Sequence, residues 1–285
     1  MESNSNMGPG RKMRLHALVL AMVWAIAPAG GKLPAQSDPL LDLQPQAEQL
    51  FALANQSRAA QGLAPLKWDS DLAAAALLHC RRMAAEGEIA HRYGGEADLS
   101  ERAGKAGAHF SLIEENVALG SYVDRIHQGW MDSPGHRANI LNPGVDHVGI
   151  AVVASAGVYF AVADYTRGVA VMSQTQVEAA VAGLIRKSGV AVVKDPALAR
   201  NTCAIDHGLP GAIGGPNPEF IMRWQNADLN QLPADLRSKL ESGKYREAAV
   251  GSCAPKDVEG DFTVYRLAVL LYSAQAVSPR PFYQP

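Results

Sequence analysis

GWMDSPGHRANILNP, residues 129–143, decides how the first half of this chain is read. A helical-looking run reaches Trp130, and Ser133, Pro134 and Gly135 then break it. Pro and Gly together stop a helix or bend its end. The apolar period resumes at Ala138, Ile140 and Leu141, so the bend delivers His136 and Arg137. A histidine placed this way is either a cap contact or part of a site.

Working outward, HVGIAVV (147–153) and VYFAVADY (158–165), joined across a Gly-containing turn, predict a β-hairpin. Upstream, Ser121 is placed to cap a helix running through Ile126 and Trp130. Leu50, Leu53 and Ala54 predict a helix that stops at Gly62. Asp69 is placed to cap a second helix, whose one face carries Leu72, Ala76, His79 and Met83 up to Gly87. Residues 92–109, rich in Gly and charge, read as a loop. Helices followed by strands make an α+β order.

Past a composition shift at 166–174, Ser173 is placed to cap an amphipathic helix ending at Gly189. Residues 208–218 read as a long loop, LPADLRSKLESG (232–243) as a helix with Pro233 in its first turn, and AAVGSC and FTVYRLAVLLY as strands. GLAPLKWDSDLAAAALLHC is echoed by GVAVVKDPALARNTC, and the two strand pairs echo each other. The second half (173–285) is thus either a degenerate internal repeat without a site or an unrelated small α+β module.

The 285 residues suffice for one large domain or two ordinary ones, and 48% hydrophobic with 19% charged residues is a globular balance. A net charge of −2 excludes the basic face a nucleic-acid partner needs. Arg11, Lys12 and Arg14 precede the apolar run LHALVLAMVWAIA (15–27), followed by small residues. This layout over 1–36 reads as a signal peptide and leader, with an N-terminal anchor helix as the alternative. The expected mature protein is secreted or periplasmic, without a membrane span. Three cysteines allow one disulfide with one left over. Cys80 sits in an Ala-rich helix as a small hydrophobe, and Cys203 is paired with Cys253.

The candidate chemistry lies at His91 after the Gly87 stop, at Glu115 and Asn116 in what reads as a turn, and at His136. Two imidazoles and a carboxylate suit a divalent metal such as zinc. The alternative is that both histidines bond backbone at element ends. His79 reads as a satisfied core histidine, and His109, His127, His147 and His207 fall on loops or polar faces. Asp164 is either exposed at an edge or turned into a cleft. No nucleophile elbow or phosphate loop is found.

The ordered set LFALANQSRAAQGLAPLKWDSDLAAAALLHCRRMAAEGEIAH, Arg102, EENVALG, GWMDSPGHRANILNPGVDHVGIAVV and YFAVADY resembles the CAP superfamily, in its short bacterial form, over residues 45–167. The resemblance implies an α-β-α sandwich in which His91, Glu115 and His136 converge on a central cleft, supported by Arg102, Asn116, Ser133, Arg137 and Ile140. It also implies a divalent metal in many members. Departures are Glu114 where the family has Gly, and Ala163 where it has a strand glutamine. The second cleft glutamate and the strand histidine of the animal form have no counterpart. The expected function is an exported, non-catalytic module whose cleft binds a metal, lipid, glycan or protein, its partner a small ligand or an extracytoplasmic protein. The alternative is a metal-dependent hydrolase of peptide or cell-wall material with Glu115 as general base.

Overall fold

The computed structural model describes residues 44–211, 216–258 and 260–273. The signal peptide and leader read at 1–36 lie outside the described residues. The first elements are α1 (Gln44–Ala59), β1 (Lys67–Trp68), α2 (Ser70–Glu86), α3 (Leu99–Ala106) and β2 (Phe110–Gly120). They are followed by α4 (Val123–Asp132), α5 (Pro134–Ile140), β3 (His147–Ser155) and β4 (Val158–Gly168). The strands form one sheet in the order β1-β3-β4-β2, with β1 parallel to β3 and the other pairs antiparallel.

Alternation along β3 builds the two-sided core. Val148, Ile150 and Val152 face a cluster holding Leu50 of α1, Trp130 of α4 and Ile140 of α5. Ala151 and Val153 face the opposite cluster, with Ala76, Cys80 and Met83 of α2. Successive strand side chains point to opposite faces, so one sheet can seat helices on both. The result is the expected α-β-α sandwich.

Three readings need correction. The 92–109 loop contains α3, whose start is a capping box: the Asp98 side chain accepts from the Glu101 N–H and Glu101 reaches back to the Asp98 N–H. Glu115 and Asn116 lie in mid-strand on β2 and make no turn. Tyr122 takes the N-cap position of α4 instead of Ser121, without a side-chain cap bond.

The second module contains α6 (Gln174–Lys187), β5 (Ala191–Val192), α7 (Ala197–Ala204) and β6 (Phe220–Asn226). It continues with α8 (Ala234–Glu241), β7 (Tyr245–Cys253) and β8 (Tyr265–Ser273). Neither α7 nor β6 was read from the sequence. The strands pair in the order β5-β7-β8-β6, again with the first pair parallel and the rest antiparallel. β7 and β8 pair from Tyr245↔Ser273 to Cys253↔Arg266, as the strand echo requires. The disulfide joins Cys203 of α7 to Cys253 at the end of β7, with Cα atoms 5.8 Å apart, and Cys80 is free and buried.

One row of residues aligns the two sheets. In the first, Glu115, Asp164 and Gly149 stand side by side on β2, β4 and β3. In the second, Arg223, Ala268 and Gly251 hold the same places on β6, β8 and β7. Each glycine lets a helix backbone touch the sheet. A Cβ on Gly149 would overlap the Leu72–Ala73 peptide of α2, and one on Gly251 would overlap the Ala199–Arg200 peptide of α7, 2.8 Å from Arg200 Cα.

Candidate functional site

β2 sends Glu115 and Asn116 to opposite faces of the sheet, and each organises one half of the site. The Glu115 carboxylate is buried. Its Oε2 accepts a hydrogen bond from the Arg102 guanidinium of α3, and its Oε1 lies 2.8 Å from His91 Nδ1. Arg102 also donates to the His91 carbonyl at 3.1 Å, so a single residue of α3 holds both the carboxylate and the loop that carries the histidine. Behind them, His79 is fully buried, as a core histidine should be. Its Nδ1 is 2.7 Å from Glu96 Oε1, its Nε2 is 2.7 Å from the Ala90 carbonyl, and Nε2 is 4.0 Å from Glu115 Oε2.

Asn116, on the other face, donates to the His136 carbonyl at 3.0 Å. Asn139 of α5 donates to the Glu115 carbonyl at 3.2 Å and to Asn116 Oδ1 at 2.9 Å. The Ser-Pro-Gly bend is the start of α5, with Ser133 at its N-cap and Pro134 as its first residue. Those amide bonds dock α5, and therefore His136, against the backbone of the strand that carries Glu115.

The electrostatics divide the groups. The hydrogen bond that the His91 ring donates to Glu115 raises the His91 pKa above the ordinary histidine value, against the opposing effect of burial. Burial first, and the nearby His91 charge second, lower that of His136. Asp164, left open by the sequence, is completely buried on β4 opposite Glu115, and neither carboxylate oxygen has a hydrogen-bond partner among the described residues. Burial, then the Glu115 charge, push its carboxyl well above the usual carboxylate range.

Sequence reading missed one supporting residue. Arg137 is exposed, whereas Arg58 of α1 is buried and grips the segment after α5. It donates to the carbonyls of Ala64 (2.8 Å), Ile140 (2.9 Å), Asn142 (2.8 Å) and Val145 (3.3 Å). The signal was its spacing: Arg58 continues the buried stripe Leu50, Ala54 at four-residue intervals. His127, assigned to a loop or polar face, is a buried residue of α4, 2.9 Å from the Ser57 hydroxyl.

The donor set does not fit a resident divalent metal. Both oxygens of Glu115 are engaged, one by an arginine whose own positive charge repels a cation. Two imidazoles remain, short of the three or four protein donors of a zinc site. No group of three His, Cys, Asp or Glu side chains placed to hold a metal occurs among the described residues.

Comparison with known proteins bears on the family of the first module. Residues 51–165 match the family model described as CAP, the cysteine-rich secretory protein family. The uncharacterized protein YkwD of Bacillus subtilis is 31% identical over 116 residues, which are 39% of this chain and 44% of that protein. The uncharacterized membrane protein YlbC of the same organism is 33% identical over 107 residues, 37% of this chain and 31% of its own length. The chain thus spans less than half the length of either relative. An extracellular protein containing an SCP domain from Bacillus anthracis is 28% identical, with a TM-score of 0.43, over 47% of this chain and 45% of that one. Residues 51–165, with their sandwich fold and the ordered motifs around His91, Glu115 and His136, are a CAP domain.

Proposed function

We propose that the CAP domain is an exported binding module whose cleft takes a polar, acceptor-bearing ligand through His91 and His136, without a resident metal. The observation that carries this is the double engagement of Glu115. A carboxylate held by Arg102 and His91 is a fixed counter-ion. It favours the His91 imidazolium and leaves its second N–H to donate from a side chain that is 63% exposed. His136, biased by burial to the neutral form, would offer a lone pair to the same ligand. Carboxylates and hydroxyls of cell-wall glycopeptides have the complementary acceptors and donors. Export rests on the charged and apolar leader at 11–27.

The cleft belongs to the first module alone. Arg223 and Ala268 stand in the second sheet where Glu115 and Asp164 stand in the first, and His207 is the sole histidine of residues 169–285. The shared strand order and the matched glycines support reading the second module as a degenerate copy without a site.

Calorimetric titration with soluble peptidoglycan fragments tests the reading. Binding should weaken by about tenfold or more in His91→Gln and be unchanged by a chelator. Binding that vanishes with chelator and returns with zinc would overturn it. The hydrolytic alternative has one observation in its favour: two buried carboxyls, Glu115 and Asp164, stand side by side on β2 and β4, and burial biases Asp164 toward its protonated form. Turnover of the same fragments, abolished in Glu115→Gln, would replace the binding reading.

A further inference from the structure

We propose that residues 260–264, in the connection between β7 and β8, brace the cleft of the CAP domain by fixing α3 and thereby the position of Arg102. The matching connection in the first module is the two-residue turn Ala156–Gly157, so the longer one is peculiar to the second. Thr263 donates its N–H to the Phe110 carbonyl at 2.8 Å, on β2, the edge strand of the first sheet. Phe262 meets Phe110 edge-to-face, with ring centroids 5.3 Å apart. It packs on the small core formed by Leu72, Ala103, Ala108 and Phe110, which joins α2, α3 and β2.

The turn before it lies directly on α3. A Cβ on Gly104 would come 2.7 Å from Asp261 Cγ, and one on Gly260 would come 2.5 Å from Ser100 Oγ. Ser100, Ala103 and Gly104 form one face of this helix, and Arg102 leaves another toward Glu115. Eight residues are too few for a helix to stand alone in water. Its capping box fixes its start. Its outer face is closed by the second module, and Arg102 is the residue that depends on it. A positioning role for Phe262 and Asp261 follows, acting on the geometry of the cleft whatever ligand it takes.

The test uses the full chain with its disulfide intact. Two readouts are followed: hydrogen exchange of the α3 amides, and the NMR signal of Arg102 Nε–H, which is buried without a hydrogen-bond partner among the described residues. Phe262→Ala should raise α3 exchange by about tenfold or more and move the Arg102 signal, while α6 and β7 keep their protection. Phe262→Leu should restore both. Gly104→Ala separates the brace from local helix propensity, because alanine is the better helix former. If the brace holds α3, this variant pushes Asp261 away and exchange rises. Slower or unchanged exchange in Gly104→Ala, with the Arg102 signal unmoved in Phe262→Ala, would overturn the proposal.

Discussion

Replacing Arg58 by methionine asks how far the cleft depends on a residue outside it. The substitution keeps the length of the aliphatic stem and removes the guanidinium. Four carbonyls then lose their donor: Ala64, Ile140, Asn142 and Val145. Each bond from a charged donor to a buried acceptor is worth about 1.5–3 kcal/mol, so the gross loss is about 6–12 kcal/mol. Two effects offset it. Burying an arginine without a bonded carboxylate costs several kcal/mol, which methionine recovers, and water reaches some of the freed carbonyls. A net destabilisation of about 3–5 kcal/mol of the CAP domain is expected. Urea unfolding followed at Trp130, which is buried in the affected core, measures it. The loss should not vary between pH 5 and 8, since arginine does not titrate there. Hydrogen exchange should rise first around 140–145 and α5, the segment that positions His136. A loss below about 1 kcal/mol would refute the reasoning. It would mean that the four carbonyls are satisfied equally well without Arg58.

Asp164→Asn should stabilise the CAP domain at neutral pH, because it removes a carboxyl whose folded-state pKa is raised by burial and by Glu115. Such a group folds at no penalty below its unfolded pKa and loses stability as pH rises toward its folded value, so the advantage of the variant should widen upward from about pH 4. Denaturation midpoints from pH 4 to 8 check this, and a gap that narrows with pH would contradict it. Gly149→Ala and Gly251→Ala should each destabilise by about 2–3 kcal/mol, since in both the new methyl meets helix backbone. Hydrogen exchange should localise the first loss to α2 and β3 and the second to α7 and β7. Equal tolerance of alanine at both sites would remove the case for matched modules.

The α+β order and two of the three site segments are written locally, whereas the sandwich followed from the family resemblance. Alternation gave the β3–β4 hairpin, Asp69 and Ser173 gave helix starts, and the Ser-Pro-Gly bend marked α5. What was missed depends on partners far along the chain. Glu114, Glu115 and Asn116 are a polar run that reads as a turn, and they become a strand because β4 pairs with them from Ile113 to Gly120. α3 was legible in Asp98 and Glu101 as a capping box, but its glycines and charges masked it. The burial of Asp164 has no local signal, since an aspartate between apolar neighbours is equally compatible with an edge. Only the pairing of β4 on both sides, with β2 and β3, buries it.

The asymmetry between the two sheets then has a physical reading. Burying a carboxyl pair costs stability: Glu115 is held by Arg102 and His91, and burial with the Glu115 charge raises the Asp164 pKa, which favours its uncharged form. The row that bears this expense in the first module is relieved in the second. There Ala268 replaces the aspartate, and Arg223 turns to the carbonyls of Thr202 (2.7 Å) and Gly208. The second module also lacks counterparts of α3 and α5, and has fewer helices to hold its sheet. Its disulfide ties α7 to β7 across a separation of 50 residues, which in chain-entropy terms contributes about 4 kcal/mol. Among the described residues the buried carboxyl pair is thus confined to one sheet and the disulfide to the other. The β7–β8 connection is where they meet, because a stapled module can hold a short helix in place that its own module leaves uncovered.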